Sequence, residues 1–113
     1  MTKAWFKNRL NDHYLQKSRV DDYRSRAAYK LEEIDQKYRL IKPGMKILDL
    51  GAAPGSWSQY ALRKVNGKAR IIAIDLLEIA PIEGVTIIQG DIRAPENQAK
   101  IIELAPNGLG LIL

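Results

Sequence analysis

Hydrophobic positions along this chain follow two alternating rhythms. Ala27, Leu31, Ile34 and Tyr38 recur at steps of four, three and four, which gathers them on one face of a helix. Ser25 is placed to cap that helix, which is expected to run to about Tyr38. Pro43-Gly44 marks a turn. Short apolar runs then predict strands at Met45 to Leu50, Arg70 to Asp75 and Val85 to Gln89, with a fourth beginning at Leu109. The second run, RIIAID, lacks polar alternation, the pattern of a parallel strand buried on both faces. Helical stretches are expected at Ser56 to Val65, closed by Asn66-Gly67, and at Pro95 to Leu104, with Pro95 in the first turn.

This alternation predicts a right-handed, doubly wound α/β sheet. Leu76 to Gly84 is too short for a well-formed crossover helix, so a single helical turn or an irregular loop is expected there. Residues 1 to 21 show no clean period and read as an arm with at most a short helical turn. Two regions follow: an arm over residues 1–24 and a partial α/β domain over 25–113. The chain ends inside the apolar run Leu109-Gly-Leu-Ile-Leu113. Four strands of an open parallel sheet leave an edge uncovered, so the expectation is the N-terminal half of a longer sheet.

Charge sharpens the division. The 113 residues carry a net charge of +5. All of that excess sits in the first 30 residues, with eight Lys/Arg against three Asp; the remainder is balanced. The same 30 residues hold five of the eight aromatics: Trp5, Phe6, Tyr14, Tyr23 and Tyr29. A basic, aromatic segment suits RNA, because cations meet phosphate and rings stack on unpaired bases. It equally suits a solvated arm whose rings pack on the domain. No apolar run approaches the roughly 20 residues of a membrane span, and Met1 to Leu10 lacks the apolar centre of a secretory signal. Cysteine is absent and His13 is the one histidine. A reducing cytoplasm and no structural metal are expected.

Candidate chemistry concentrates at Asp49-Leu-Gly-Ala-Ala-Pro-Gly55-Ser-Trp57, a strand end, a glycine turn and a helix start. Such a junction cradles nucleotide-like ligands. Gly51 and Gly55 permit a tight turn and close approach of a ligand. The G-x-x-x-G spacing departs from the G-x-G-x-x-G of dinucleotide enzymes and points to S-adenosylmethionine, leaving a nicotinamide oxidoreductase as the poorer fit. Asp75 ends the second strand, 24 residues after Gly51; a carboxylate there accepts from a ribose diol or caps its own turn. Asp91, after the third strand, suits an adenine amine or a turn. Trp57 walls the pocket, packs in the core, or does both. Asp49 is expected to orient the loop by accepting backbone N–H bonds. Lys30 sits at the border of the apolar helix face, with its stem along the core and its ammonium near the crevice, or simply snorkelling.

Four blocks, in order, carry a resemblance: Ser25-Arg-Ala-Ala-Tyr-Lys30-Leu, Asp49 to Gln59, Ile72-Ala-Ile-Asp75-Leu-Leu and Gln89-Gly-Asp91. Together they resemble the FtsJ/RrmJ ribosomal RNA 2′-O-methyltransferases, from about Asp12 to Ala94. The resemblance implies a Rossmann-like, S-adenosylmethionine-dependent enzyme that methylates a uridine ribose in large-subunit rRNA. It also implies free rRNA or the assembled large subunit as partner, and a cytoplasmic monomer at full length. It assigns cofactor contacts to Gly55, Trp57, Asp75 and Asp91, and the first lysine of a Lys-Asp-Lys-Glu catalytic set to Lys30. Ser56 departs from the family, which usually has a second glycine there. The other three catalytic groups fall beyond Leu113, so the 113 residues alone are expected to be inactive. The alternative is a non-catalytic remnant that binds RNA or cofactor.

Overall fold

The computed structural model describes residues 22–113; the arm reading for residues 1–21 lies outside them. The elements run α1 (Ala27–Tyr38), β1 (Lys46–Leu50), α2 (Ser56–Lys64), β2 (Arg70–Asp75), β3 (Val85–Gln89), α3 (Pro95–Leu104) and β4 (Leu111–Ile112). The strands form one sheet in the order β3-β2-β1-β4, with every pair parallel. β2, β3 and α3 fall where the hydrophobic pattern places them. β4 is two residues long and begins at Leu111 rather than Leu109, although Gly110 N–H already donates to Lys46 O at 2.8 Å. Leu76 to Gly84 is irregular, with no helix.

Alternation along the central strands sorts the helices onto both faces of the sheet. Ile47 and Ile71 point to one side, into a cluster with Ala28 and Leu31 of α1 and Tyr60 and Ala61 of α2. Leu48, Ile72 and Ile74 point to the other, against Ile88 and Ile101 of α3. Burial on both faces is why β2 tolerates no polar residue between Ile71 and Ile74. These two layers of apolar contact are the main stabilising force of the sheet.

Helix α1 departs from the pattern in two ways. Its buried face is Ala28, Tyr29, Leu31 and Asp35, while Tyr38 is exposed. The stripe is therefore rotated relative to the apolar spacing. The cause is Asp35, an acidic residue that the helix buries: its Oδ1 accepts from the backbone N–H groups of Leu40 and Ile41, each at 2.9 Å, and Tyr60 Oη donates to its Oδ2 at 2.9 Å. This latch satisfies two backbone N–H groups just past α1 and, through Tyr60, ties α1 to α2. Ser25 is not the helix cap; Arg26 is. The Ser25 hydroxyl instead hydrogen-bonds Ser56 Oγ at 2.8 Å and accepts weakly from Ala27 N–H at 3.3 Å.

Candidate active site

All the residues singled out after strands lie along one edge of the sheet. Asp49 closes in on the end of β1, Asp75 ends β2, and Asp91 follows β3. The chain runs from β1 outward through β2 to β3, then returns to the far side of β1 for β4. The strand order thus reverses between β1 and β4. Crevices at such a reversal, at the carboxyl ends of the strands, are where open α/β sheets bind ligands. A cavity of about 260 Å³ opens at that point. Asp49, Gly51 and Ala53 line it from β1 and its loop, Trp57 from the start of α2, Ser25 and Ala27 from the entry into α1, and Leu113 from just after β4. A larger cavity of about 470 Å³ opens at the opposite edge, among Gly44, Lys46, Lys68, Arg70 and Thr86. It holds none of the candidate residues.

The glycine loop is shaped by its neighbours. Gly51 has φ 69°, a left-handed conformation that side chains disfavour. Its N–H and that of Ala52 both donate to Ile74 O, at 2.9 and 3.1 Å, which ties the loop to the end of β2. Gly55 has φ 112°, and a Cβ there would lie 2.6 Å from Ile82 Cδ1. The close approach that Gly55 permits is therefore made by the β2–β3 link. Trp57 is half-buried. It packs on the apolar cluster beneath α1 and α2, walls the cavity, and donates from Nε1 to Ala27 O at 2.7 Å.

The aspartates differ in what holds them. Asp49 is buried and accepts from the Ser58 hydroxyl at 2.7 Å. Its partner is α2 rather than the loop, which corrects the expected role. Burial pushes its carboxyl above the ordinary range, against the hydrogen bonds from Ser58; the nearby charge of Asp75 pushes the same way. Asp75 accepts Leu77 N–H on Oδ1 and Ala53 N–H on Oδ2, each at 2.9 Å. Those backbone donors hold its pKa below the ordinary value. An ionised carboxylate has about four acceptor sites, so both oxygens of Asp75 retain capacity for a diol. Asp91 is engaged by Arg93, whose Nη2 donates at 2.8 Å and whose backbone N–H donates at 2.8 Å. These contacts lower its pKa.

Lys30 does not lay its stem along the core. It is exposed, with Nζ 3.8 Å from Glu33 Oε2. It stands one helical turn beyond Ala27, which lines the cavity, and residues three apart share a side of a helix. Among the described residues no helix is long and apolar enough to cross a membrane. Two contributors escaped the sequence reading. Ser58 carries no local signal, since only the fold brings it beneath Asp49. Arg24 falls within the basic arm by sequence, yet it reaches across to two loops of the crevice edge.

Comparisons agree with this geometry. The profile of the FtsJ-like methyltransferase family matches residues 23–113. The chain is 52% identical over 107 residues to ribosomal RNA large subunit methyltransferase E of Methylobacillus flagellatus, covering 95% of this chain and 51% of that protein. It is 53% identical over 102 residues to the protein of that name from Nitrosospira multiformis, covering 90% and 50%. Among solved structures, a ribosomal RNA methyltransferase from Plasmodium falciparum superposes with a TM-score of 0.67 at 43% identity, covering 73% of this chain and 49% of that one. The chain spans about half the length of the curated relatives it matches. With a profile that matches nearly all of the described residues, and a crevice where the sheet order reverses, the chain belongs to the FtsJ-like methyltransferase family.

Proposed function

We propose that this chain is the cofactor-binding part of a methyltransferase that uses S-adenosylmethionine to methylate the ribose 2′-OH of a uridine in large-subunit rRNA. The observation that carries the reading is the cavity at the β1/β4 reversal, bounded by the glycine loop and Trp57. It has room for part of a nucleoside-sized ligand, and Asp75 stands beside it with unused acceptor capacity. Gly55, Trp57, Asp75 and Asp91 are the residues that would hold the cofactor. Asp75 takes the ribose diol, Asp91 takes the adenine amine in competition with Arg93, and the ring of Trp57 forms one wall. S-adenosylmethionine supplies a methyl group already activated by a sulfonium, which leaves alignment and proton removal to the protein.

Lys30 is the catalytic residue that this stretch contributes. Its position one turn beyond the cavity-lining Ala27 lets its ammonium reach over the crevice mouth. There it orients the 2′-OH or tunes a partner base. The basic arm binds the rRNA, free or in the assembled large subunit, in the cytoplasm.

The test is tritium transfer from labelled S-adenosylmethionine to large-subunit rRNA and to assembled subunits, using the full-length protein. The expected product is 2′-O-methyluridine. Lys30→Ala should lower turnover by about 100-fold or more, the scale of a lost acid–base or orienting group, with S-adenosylhomocysteine affinity retained. Methylation of a base rather than a ribose, or full activity without Lys30, would overturn the reading.

A further inference from the structure

Arg24 makes a set of contacts that the cofactor reading does not use. Its Nη1 donates to Pro54 O at 3.0 Å and to Ala80 O at 2.5 Å, and its Nη2 donates to Pro81 O at 2.6 Å. Pro54 belongs to the glycine loop after β1. Ala80 and Pro81 belong to the link after β2, which begins beside Asp75. One guanidinium therefore bridges the loops that leave the two central strands. Asp75 makes a second polar bridge at the strand end, accepting from Ala53 N–H and Leu77 N–H; further out the loops meet through apolar contact, with Ile79 and Ile82 packed around Ala52 and Ala53. The missing Cβ of Gly55 makes room for the junction, since a Cβ there would lie 3.5 Å from Arg24 Nη1 as well as against Ile82.

The backbone of Arg24 is fixed as firmly as its side chain. Its N–H donates to Gln59 Oε1 at 2.8 Å. Gln59 Nε2 and Arg63 Nη2 both donate to Asp22 O, at 3.2 and 3.3 Å, and the Arg63 guanidinium lies 4.6 Å from the Tyr23 ring centroid. The segment Asp22–Arg24 is thus anchored on α2. From that anchor the Arg24 side chain crosses to the loops.

We propose that Arg24 is a positioning residue. Its forked guanidinium clips the glycine loop to the β2–β3 link and fixes the separation between the Trp57 wall and Asp75, so that the cofactor meets a preformed crevice. The proposal rests on the cofactor reading above. Arg24 touches neither the cavity nor any reacting atom, and it works through the carbonyls of Pro54, Ala80 and Pro81. A lysine cannot replace it, because a single ammonium lacks the planar fork that serves two loops at once. Linkage adds a second consequence: if the clip favours the binding-competent loops, a bound cofactor must in turn strengthen the clip.

The experiment measures S-adenosylhomocysteine binding by calorimetry in the full-length protein and its variants. Arg24→Ala should raise Kd by about tenfold to hundredfold, the scale of lost hydrogen bonds from a charged donor, and Arg24→Lys should fall between it and the parent. Asp35→Asn, which weakens the distant α1–α2 latch, serves as the stability control and should leave Kd unchanged. Hydrogen exchange in the parent protein needs no variant to fold: saturating S-adenosylhomocysteine should slow the Arg24 amide together with those of Ile79 and Ile82. A Kd within about twofold of the parent in a folded Arg24 variant, or an Arg24 amide indifferent to ligand, overturns the proposal while leaving the cofactor reading intact. Failure of the parent itself to bind S-adenosylhomocysteine overturns the cofactor reading, and the proposal with it.

Discussion

Asp49 and Asp75 lie at the carboxyl ends of neighbouring central strands, the next-to-last residue of β1 and the last of β2, and their surroundings treat the two carboxylates in opposite ways. Asp49 turns inward, away from water, and leans on the hydroxyl of Ser58. Asp75 turns outward and collects backbone N–H groups from the loops on either side, Ala53 and Leu77. Burial raises the pKa of the first and backbone donors lower the pKa of the second. One end of the sheet thus holds a carboxylate satisfied from within and another open to solvent. The carboxylate that ties β1 to α2 is desolvated and satisfied from within. The other carboxylate stays charged and partly exposed, with acceptor capacity beyond its two backbone donors.

The largest effect should come from breaking the inward member. Asp49→Ala removes the acceptor of a buried hydroxyl and opens a small void. Together these should cost about 2–4 kcal/mol of folding stability, read by urea denaturation. Asp49→Asn keeps an acceptor for Ser58 and removes a charge that is costly to bury, so its change should stay within about 1 kcal/mol. Equal losses in both variants would show that the charge itself, rather than the hydrogen bond, ties β1 to α2.

The outward member should show the reverse profile. Asp75→Ala should weaken S-adenosylhomocysteine binding by roughly 1.5–3 kcal/mol, the value of a hydrogen bond to a charged group, with a smaller change in folding stability. Calorimetry on the full-length protein decides it. Unchanged affinity would remove Asp75 from the cofactor set and leave it as a cap for its own turn.

The same contrast explains what the sequence made legible. β2, β3, α3 and the glycine turn were readable because each signal is local: an unbroken apolar run, a proline at a helix start, two glycines at fixed spacing. The carboxylates at strand ends were readable as candidates for the same reason. Their partners were not, because Ser58 reaches Asp49, and Arg24 reaches Ala80, only through the fold. The rotation of α1 was hidden as well. A buried Asp35 defeats a pattern that expects apolar residues inside, and its compensation comes from the chain after the helix and from Tyr60.

The smallest effect, and the sharpest test of the comparison, is in the dependence of stability on pH. Both carboxylates have an ordinary value of 3.8, and the fold moves them to opposite sides of it. For Asp75, whose folded pKa is lowered, the unfolded chain takes up the proton first as pH falls. Its contribution is therefore complete above 3.8 and is lost as pH drops through the folded pKa. The Arg93-paired Asp91 has the same sign. For Asp49, whose folded pKa is raised, the folded chain binds the proton first. Its contribution therefore declines as pH rises from 3.8 through the folded pKa. Asp75→Asn should accordingly flatten the stability curve below 3.8. Asp49→Asn should remove a downward slope above it. Urea titrations at closely spaced pH values resolve the two windows. If both substitutions alter the same window with the same sign, the two aspartates share one environment, and the division between the inward and outward carboxylate fails.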